Sequence, residues 1–279
     1  MTEDASLSLP DPAPDAKPQK KDEDSFSAFL LKLALFVFIL RSFIIAPFSI
    51  PSESMLPRLL VGDYLVVAKW PYGYSKHSLP FSIPLIPGRI FSSLPVPGDV
   101  AVFKAPPGNQ VDYIKRVIGL PGDMIQMKEG VLHINGQAVK KERIADAVIP
   151  VSPNTGCEAA RFEMRASDGS AACHYPRFRE TLPNGRSYEV LDMDPAAPYD
   201  TTDIYTVPEG HFFAMGDNRD HSADSRFPAV EGQGIGFVPQ ENLVGRALVM
   251  VFSTDGSAEW LKPWTWFTAA RWSRIGGGF

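Results

Sequence analysis

Residues 26–47 are almost continuously apolar, FSAFLLKLALFVFILRSFIIAP, and about 20 helical residues are enough to cross a hydrocarbon core. Lys32 and Arg41 interrupt the run. Each stands within two turns of an end, from which a long cationic side chain snorkels to the interface. The pattern predicts a membrane anchor over 25–47. Two other readings compete: a cleaved secretory signal, which a leader rich in both charge signs fits poorly, and a helix buried in a core. A second apolar stretch, 79–97, is broken by Pro80, Pro84, Pro87 and Pro95. It predicts no span, only a loop lying over an apolar surface or on a bilayer. Alternating or compact apolar runs bounded by turn residues predict strands near 64–68, 99–103, 112–118, 124–128, 131–134, 211–215 and 243–252. Between 140 and 205 the pattern loosens.

Composition sharpens this picture. The 26 prolines and 22 glycines in 279 residues punctuate short extended segments, which favours a β-rich body. The expected organisation is a disordered tail over 1–24, the anchor over 25–47, and a β body over 48–139 and 206–255. A lobe over 140–205 interrupts that body, and a segment over 256–279 follows it. The last holds Trp260, Trp264, Trp266 and Trp272 with Arg271 and Arg274, a mixture suited to a membrane interface or to a helix lying on the body. Lys17, Lys20 and Lys21 precede the apolar run, and only Arg58 lies in the first twenty residues after it, so the amino end is expected inside. A net charge of −5 without a Lys/Arg block excludes a general nucleic-acid binder. The two cysteines, Cys157 and Cys173, would then lie outside the cytoplasm, where a disulfide is expected in preference to two unpaired thiols.

Three segments carry candidate chemistry. In IPSESMLP, Ser52 and Ser54 are two apart, so on an extended segment their hydroxyls share a side and Glu53 points away. Ser54 is seven positions past Pro47, at most about 25 Å from the end of the anchor. In DYIKRVIGLPGD, a strand would align Lys115 with Val111, Tyr113 and Val117 and turn it from Asp112, Ile114, Arg116 and Ile118. Apolar neighbours without a carboxylate partner favour the uncharged amine, the only form that acts as a base. In GDNRDHSADSR, residues 216–226, the density of Asp, Arg, Asn and Ser predicts a loop tied by ion pairs and backbone hydrogen bonds. It lacks the ligand spacing and terminal Glu of a calcium loop, so no metal is expected there.

In this order after one span, these segments resemble the bacterial type I signal peptidases. The likeness runs from RSFIIAPFSIPSESMLP through LLVGDYLVV, PGDVAVFK, DYIKR and IGLPGD to MGDNRD, SADSR and GFVPQENLVGRA. It implies an antiparallel β body with a variable inserted lobe, no cofactor, and signal-peptide-bearing preproteins as partners at the bilayer of the bacterial plasma membrane. It also implies roles. Ser54 would be the nucleophile, Lys115 the general base and Ser52 an oxyanion donor beside the Ser54 N–H. Ser222 would orient the lysine, with Asp224, Arg226, Asp217 and Arg219 supporting it. Phe48, Ile50, Met55, Leu59, Tyr113 and Ile114 would line shallow pockets for the small residues of an Ala-x-Ala site. Glu53 and His221 depart from the family pattern, which often shows Gly and Asn there, and His221 raises a histidine-based alternative. A conjugative pilin-processing or self-cleaving repressor-like Ser/Lys relative, and an anchored binding or assembly module, are the other readings.

Overall fold

The computed structural model describes residues 21–259 and 261–279, so the predicted tail lies outside the described residues as far as position 20, and so does Trp260. An α-helix covers Lys21–Ile39 and a π-turn covers Leu40–Ile44. Among the described residues one stretch is long and apolar enough to cross a membrane, Ser25–Ile44, with 6% of it buried. A core helix would be mostly covered. The helix through Ile39 forms one compact unit, and the chain from Leu40 onward forms another.

The body is mainly antiparallel β. Its central sheet contains Ile45–Ser49 (β1), Asp63–Ala68 (β2), Val100–Lys104 (β3), Asp112–Gly119 (β4), His211–Met215 (β5), Val238–Pro239 (β6) and Leu243–Ser253 (β7), in the spatial order β1-β2-β7-β3-β4-β5-β6. β1 is a correction to the sequence reading: residues 45–47, assigned to the anchor, pair with β2, Ile45 opposite Ala68 and Ser49 opposite Tyr64. Its apolar composition continues that of the helix, so hydropathy alone shows no boundary. The other predicted strands form within a residue or so of the expected ends.

Apolar clusters cover the sheet. Ile50, Met55, Leu59, Leu65, Val67, Val100 and Val102 belong to one, and Phe103, Val117, Phe212 and Ala214 to another. β4 therefore runs through the interior, between β3 and β5. Lys115 faces Ala101 in register, and Arg116 faces Val100 and Met215.

The 140–205 region is more ordered than its loose pattern suggests. Ala171–Thr181 pairs with Lys140–Pro150, Glu163–Arg165 and Ser187–Leu191. Cys157 and Cys173 are disulfide-bonded with their Cα atoms 5.4 Å apart, and Cys173 is wholly buried beside Phe162 and Tyr175. The lobe also reaches the central sheet. Leu191 bonds to the backbone of the 216–226 loop through Asp217 O and the Arg219 N–H. Glu180 grips Arg219 in a bidentate pair at 2.6 and 2.9 Å, with both side chains buried.

The carboxyl-terminal segment does two things. Its backbone is fastened to β7, with the Met250 N–H donating to Gly277 O and the Arg271 N–H to Ser253 O, and Arg274 pairs with Asp63 at 2.6 Å. Meanwhile Trp264, Trp266 and Trp272 are 65%, 42% and 58% exposed. The 79–97 loop behaves similarly: Leu79 is buried while Phe81, Leu85 and Phe91 stand out at 98%, 73% and 83% exposure.

Removing one partner of a buried pair strands the other charge, so Glu180→Ala should destabilise the body by about 3–5 kcal/mol. Urea unfolding followed by tryptophan fluorescence checks this. A change below about 1 kcal/mol would mean that the lobe is not held through this pair.

Candidate active site

Ser54 lies in the connection between β1 and β2. The Ile50 N–H donates to Asp63 O at 2.8 Å and the Gly62 N–H to Ile50 O at 3.0 Å, closing the base of the loop. Contrary to the extended segment expected for the two serines, the chain bends at Ser52 and turns from Ser54 onward, with the Leu59 N–H donating to Met55 O. The hydroxyls nevertheless lie 3.5 Å apart. Ser54 is buried and Ser52 is exposed. Among the described residues no acceptor takes the Ser54 backbone N–H. The Asn218 N–H donates to Ser54 O at 3.1 Å, and the Asn218 side-chain amide to Glu53 O at 3.3 Å, so the 216–226 loop holds this turn from behind.

Lys115 Nζ lies 2.5 Å from Ser54 Oγ, and the lysine is 4% exposed. Its nitrogen sits 5.3 Å from the centre of the Tyr113 ring. Burial brings the Lys115 pKa down from 10.5 to about 8, against the pull of Asp224 and Asp217 and helped by Arg226. Here the structure amends the sequence reading, since carboxylates do stand near the amine. Both are spoken for. Asp217 accepts from Arg116 at 2.6 and 2.7 Å, and Asp224 accepts from Arg226 at 2.9 and 3.0 Å. Although burial pushes the Asp224 carboxyl up, Arg226 holds it below the usual range. Arg226 also donates to Arg219 O at 2.6 Å, and Arg219 closes on Glu180.

Strand register explains this assembly. Met215 ends β5 opposite Arg116, so the chain leaving β5 delivers Asp217 to Arg116 beside Lys115. Gly216 makes the turn possible. A Cβ there would come within 2.5 Å of Ser54 O and 2.2 Å of Ser222 Oγ, closer than any side chain tolerates.

Not every expected residue arrives in its expected place. Ser222 Oγ is buried without a hydrogen-bond partner, so its predicted contact with Lys115 is not formed. Phe48, Ile50, Val102, Tyr113 and Ile114 line a cavity of about 210 Å³ together with Ser52, Ser54 and Lys115. Met55 and Leu59 do not line it; both are fully buried in the apolar cluster beneath. Glu180, which the sequence reading missed, is the loop's anchor in the lobe. It is an ordinary charged residue in a strand, and only its partner's position in space reveals it.

Two groups of side chains could hold a cation, Glu53 with Glu158 and His221, and Asp192 with Asp200 and Asp220. Each is already partly satisfied, His221 Nδ1 by Glu158 at 2.6 Å and Asp192 by Lys141. The histidine ring also lies 3.7 Å from Glu53 and makes no bond to Ser54.

Comparison with known proteins identifies the family of the chain. The family model described as signal peptidase, peptidase S26, matches residues 24–252. Signal peptidase I of Rickettsia prowazekii is 36% identical over 93% of this chain and 93% of its own length, and that of Rickettsia akari is 39% identical over 81% and 77%. A crystal structure of a signal peptidase I from Enterococcus faecalis shares 24% identity, covering 55% of this chain and 97% of its own, at a TM-score of 0.28, too loose a match to carry weight. With a family match across most of its length and full-length relatives well above 30% identity, the chain belongs to the signal peptidase S26 family, serine hydrolases that cleave signal peptides.

Proposed function

We propose that this chain is a membrane-anchored endopeptidase that removes signal peptides after Ala-x-Ala-like sites, with Ser54 as nucleophile and the neutral amine of Lys115 as general base. The observation that carries this reading is the 2.5 Å approach of a buried lysine nitrogen to a buried serine oxygen. In that geometry the Lys115 lone pair accepts the hydroxyl proton as Ser54 Oγ attacks the scissile carbonyl. The oxyanion accepts from the Ser54 N–H and from the exposed Ser52 hydroxyl. The lysine ammonium then protonates the leaving amine. Water completes hydrolysis of the acyl-enzyme, with Lys115 again taking the proton. In this reading Ser222, whose buried hydroxyl lacks a partner, accepts from the ammonium during its charged interval. Asp217, Asp224, Arg116, Arg219 and Arg226 fix the loop around it.

Ser25–Ile44 serves as the anchor, with the amino end cytoplasmic and the body outside the plasma membrane. The basic residues before the run support that orientation. The cavity lined by Phe48, Ile50 and Ile114 is small and apolar, which favours alanine and rejects large side chains by clash. His221 is committed to Glu158, and nothing in its contacts supports a histidine mechanism.

Incubation with a preprotein whose signal ends in Ala-x-Ala tests the chemistry directly. Ser54→Ala should abolish cleavage, and Lys115→Arg should lose about 10²–10⁴-fold, because a guanidinium cannot give up its proton. His221→Ala should stay within about threefold of the parent. Full turnover by Ser54→Ala, or robust turnover by Lys115→Arg, ends the proposal. The active form is deprotonated, so kcat/KM should climb from pH 6 to 9 with a midpoint near the Lys115 pKa of about 8; a flat or falling profile contradicts it. Replacing alanine by leucine just before the cut should lower kcat/KM by about 10–200-fold, read by gel densitometry of mature product.

A further inference from the structure

A second cavity, of about 510 Å³, adjoins the first and shares Phe48 and Asp112 with it. Its chemistry is different. Arg41, Lys69 and Lys104 line it, and Asp112 is the one carboxylate among them. Asp112 is paired to Lys104 at 3.1 Å, and among the described residues neither Arg41 nor Lys69 forms an ion pair. Lys69 is 4% exposed, and its ammonium donates one long hydrogen bond, 3.5 Å to Ser78 O. An ammonium so buried and so weakly met is unfavourable unless something negative accompanies it. Burial is the main reason that its pKa falls to about 8, with Lys104, Arg41 and Arg89 pushing the same way and Asp112 opposing.

His77 lines the same cavity, 6% exposed, and leaves Nε2 buried without a partner. Its other nitrogen, Nδ1, lies 3.0 Å from Ser82 Oγ. With the Ser82 hydroxyl donating to Nδ1, the neutral ring carries its proton on Nε2 as a donor. The loop that arranges this is strained. Phe81 and Ser82 adopt left-handed φ values of 57° and 52°, a conformation that costs free energy outside glycine and asparagine. That turn brings Ser82 to His77 and leaves Phe81, which lines the cavity, 98% exposed.

We propose that this cavity binds the phosphate headgroup of an anionic phospholipid. Arg41 and Lys69 would supply charge and His77 a neutral donor, while Phe81 enters the acyl region beside the lipid. Charge complementarity favours an anion over a zwitterion, because two cations are uncompensated. A lipid source is favoured over free phosphate by sequence position and by Phe81. Arg41 falls within the last four residues of the apolar run Ser25–Ile44, where the chain leaves the bilayer on the anchored reading, and a fully exposed phenylalanine serves no dissolved ion.

The proposal rests on that anchored reading, which alkaline carbonate extraction of membranes tests by itself. Release of the chain ends the anchored reading. For the cavity, the full-length chain in a nonionic detergent is titrated at fixed ionic strength with dihexanoyl phosphatidylglycerol, dihexanoyl phosphatidylcholine or inorganic phosphate, and binding is followed by ³¹P NMR. Phosphatidylglycerol should bind saturably and at least about tenfold more tightly than either of the others. Lys69→Met should weaken it about tenfold or more, and Arg41→Gln about threefold. Arg41 is exposed and its replacement spares the fold, so it decides the matter alone if Lys69→Met does not fold. Equal affinity for phosphatidylcholine, equal affinity for inorganic phosphate, or unchanged binding in the folded variants overturns the proposal.

Discussion

An amine held in the interior at 2.5 Å from a serine oxygen is the constraint around which the rest of this body is arranged. Burial alone favours the uncharged amine, but carboxylates close by would undo that, and Asp217 and Asp224 are close enough to pull the Lys115 pKa upward. Arg116 and Arg226 each take one of them in two hydrogen bonds. The charges therefore cancel in pairs and the balance at Lys115 is set by desolvation. Buried ion pairs add little net stability compared with apolar side chains of the same shape. Their value here lies in geometry: they fix a polar loop rigidly against a strand without leaving a free negative charge beside Lys115.

The inserted lobe takes part in the same device. Glu180, in the strand Ala171–Thr181, closes the chain of guanidinium groups by holding Arg219, whose carbonyl in turn accepts from Arg226. Leu191 adds backbone bonds to the same loop. These few contacts make the lobe a buttress of the site and not an appendage.

Legibility from sequence followed the range of the interactions involved. The strand Asp112–Gly119 was readable because its apolar pattern is local, although Asp112 and Lys115 line one cavity and are not segregated as the alternation implied. The strand Ile45–Ser49 was not, since an apolar strand directly after an apolar helix leaves no change in pattern at the junction. Met55 and Leu59 were expected at a pocket wall but lie in the core, because the chain turns after Ser54 instead of continuing extended and so carries them inward. The lobe's strand Lys140–Pro150 carries charge on both faces, as a strand covered on one side by little else does, and its period was lost. Glu180 and Arg219 are 39 positions apart. No local rule joins them, and the pair exists only once the sheets are in place.

The two departures from the family pattern are best understood together. Glu53 stands between the serines and His221 in the opposing loop, and the fold sets them 3.7 Å apart, with Glu158 beside the disulfide completing the group at 2.6 Å from the imidazole. Burial raises the Glu53 pKa, His221 draws it back and Glu158 adds to the rise. On the proposed mechanism, a glutamate beside Ser54 adds negative charge close to a developing oxyanion, which opposes the reaction. The histidine across from it opposes the rise that burial imposes on the Glu53 pKa. His221 thus offsets part of the rise at Glu53, beside the pair that the proposed function takes as nucleophile and base.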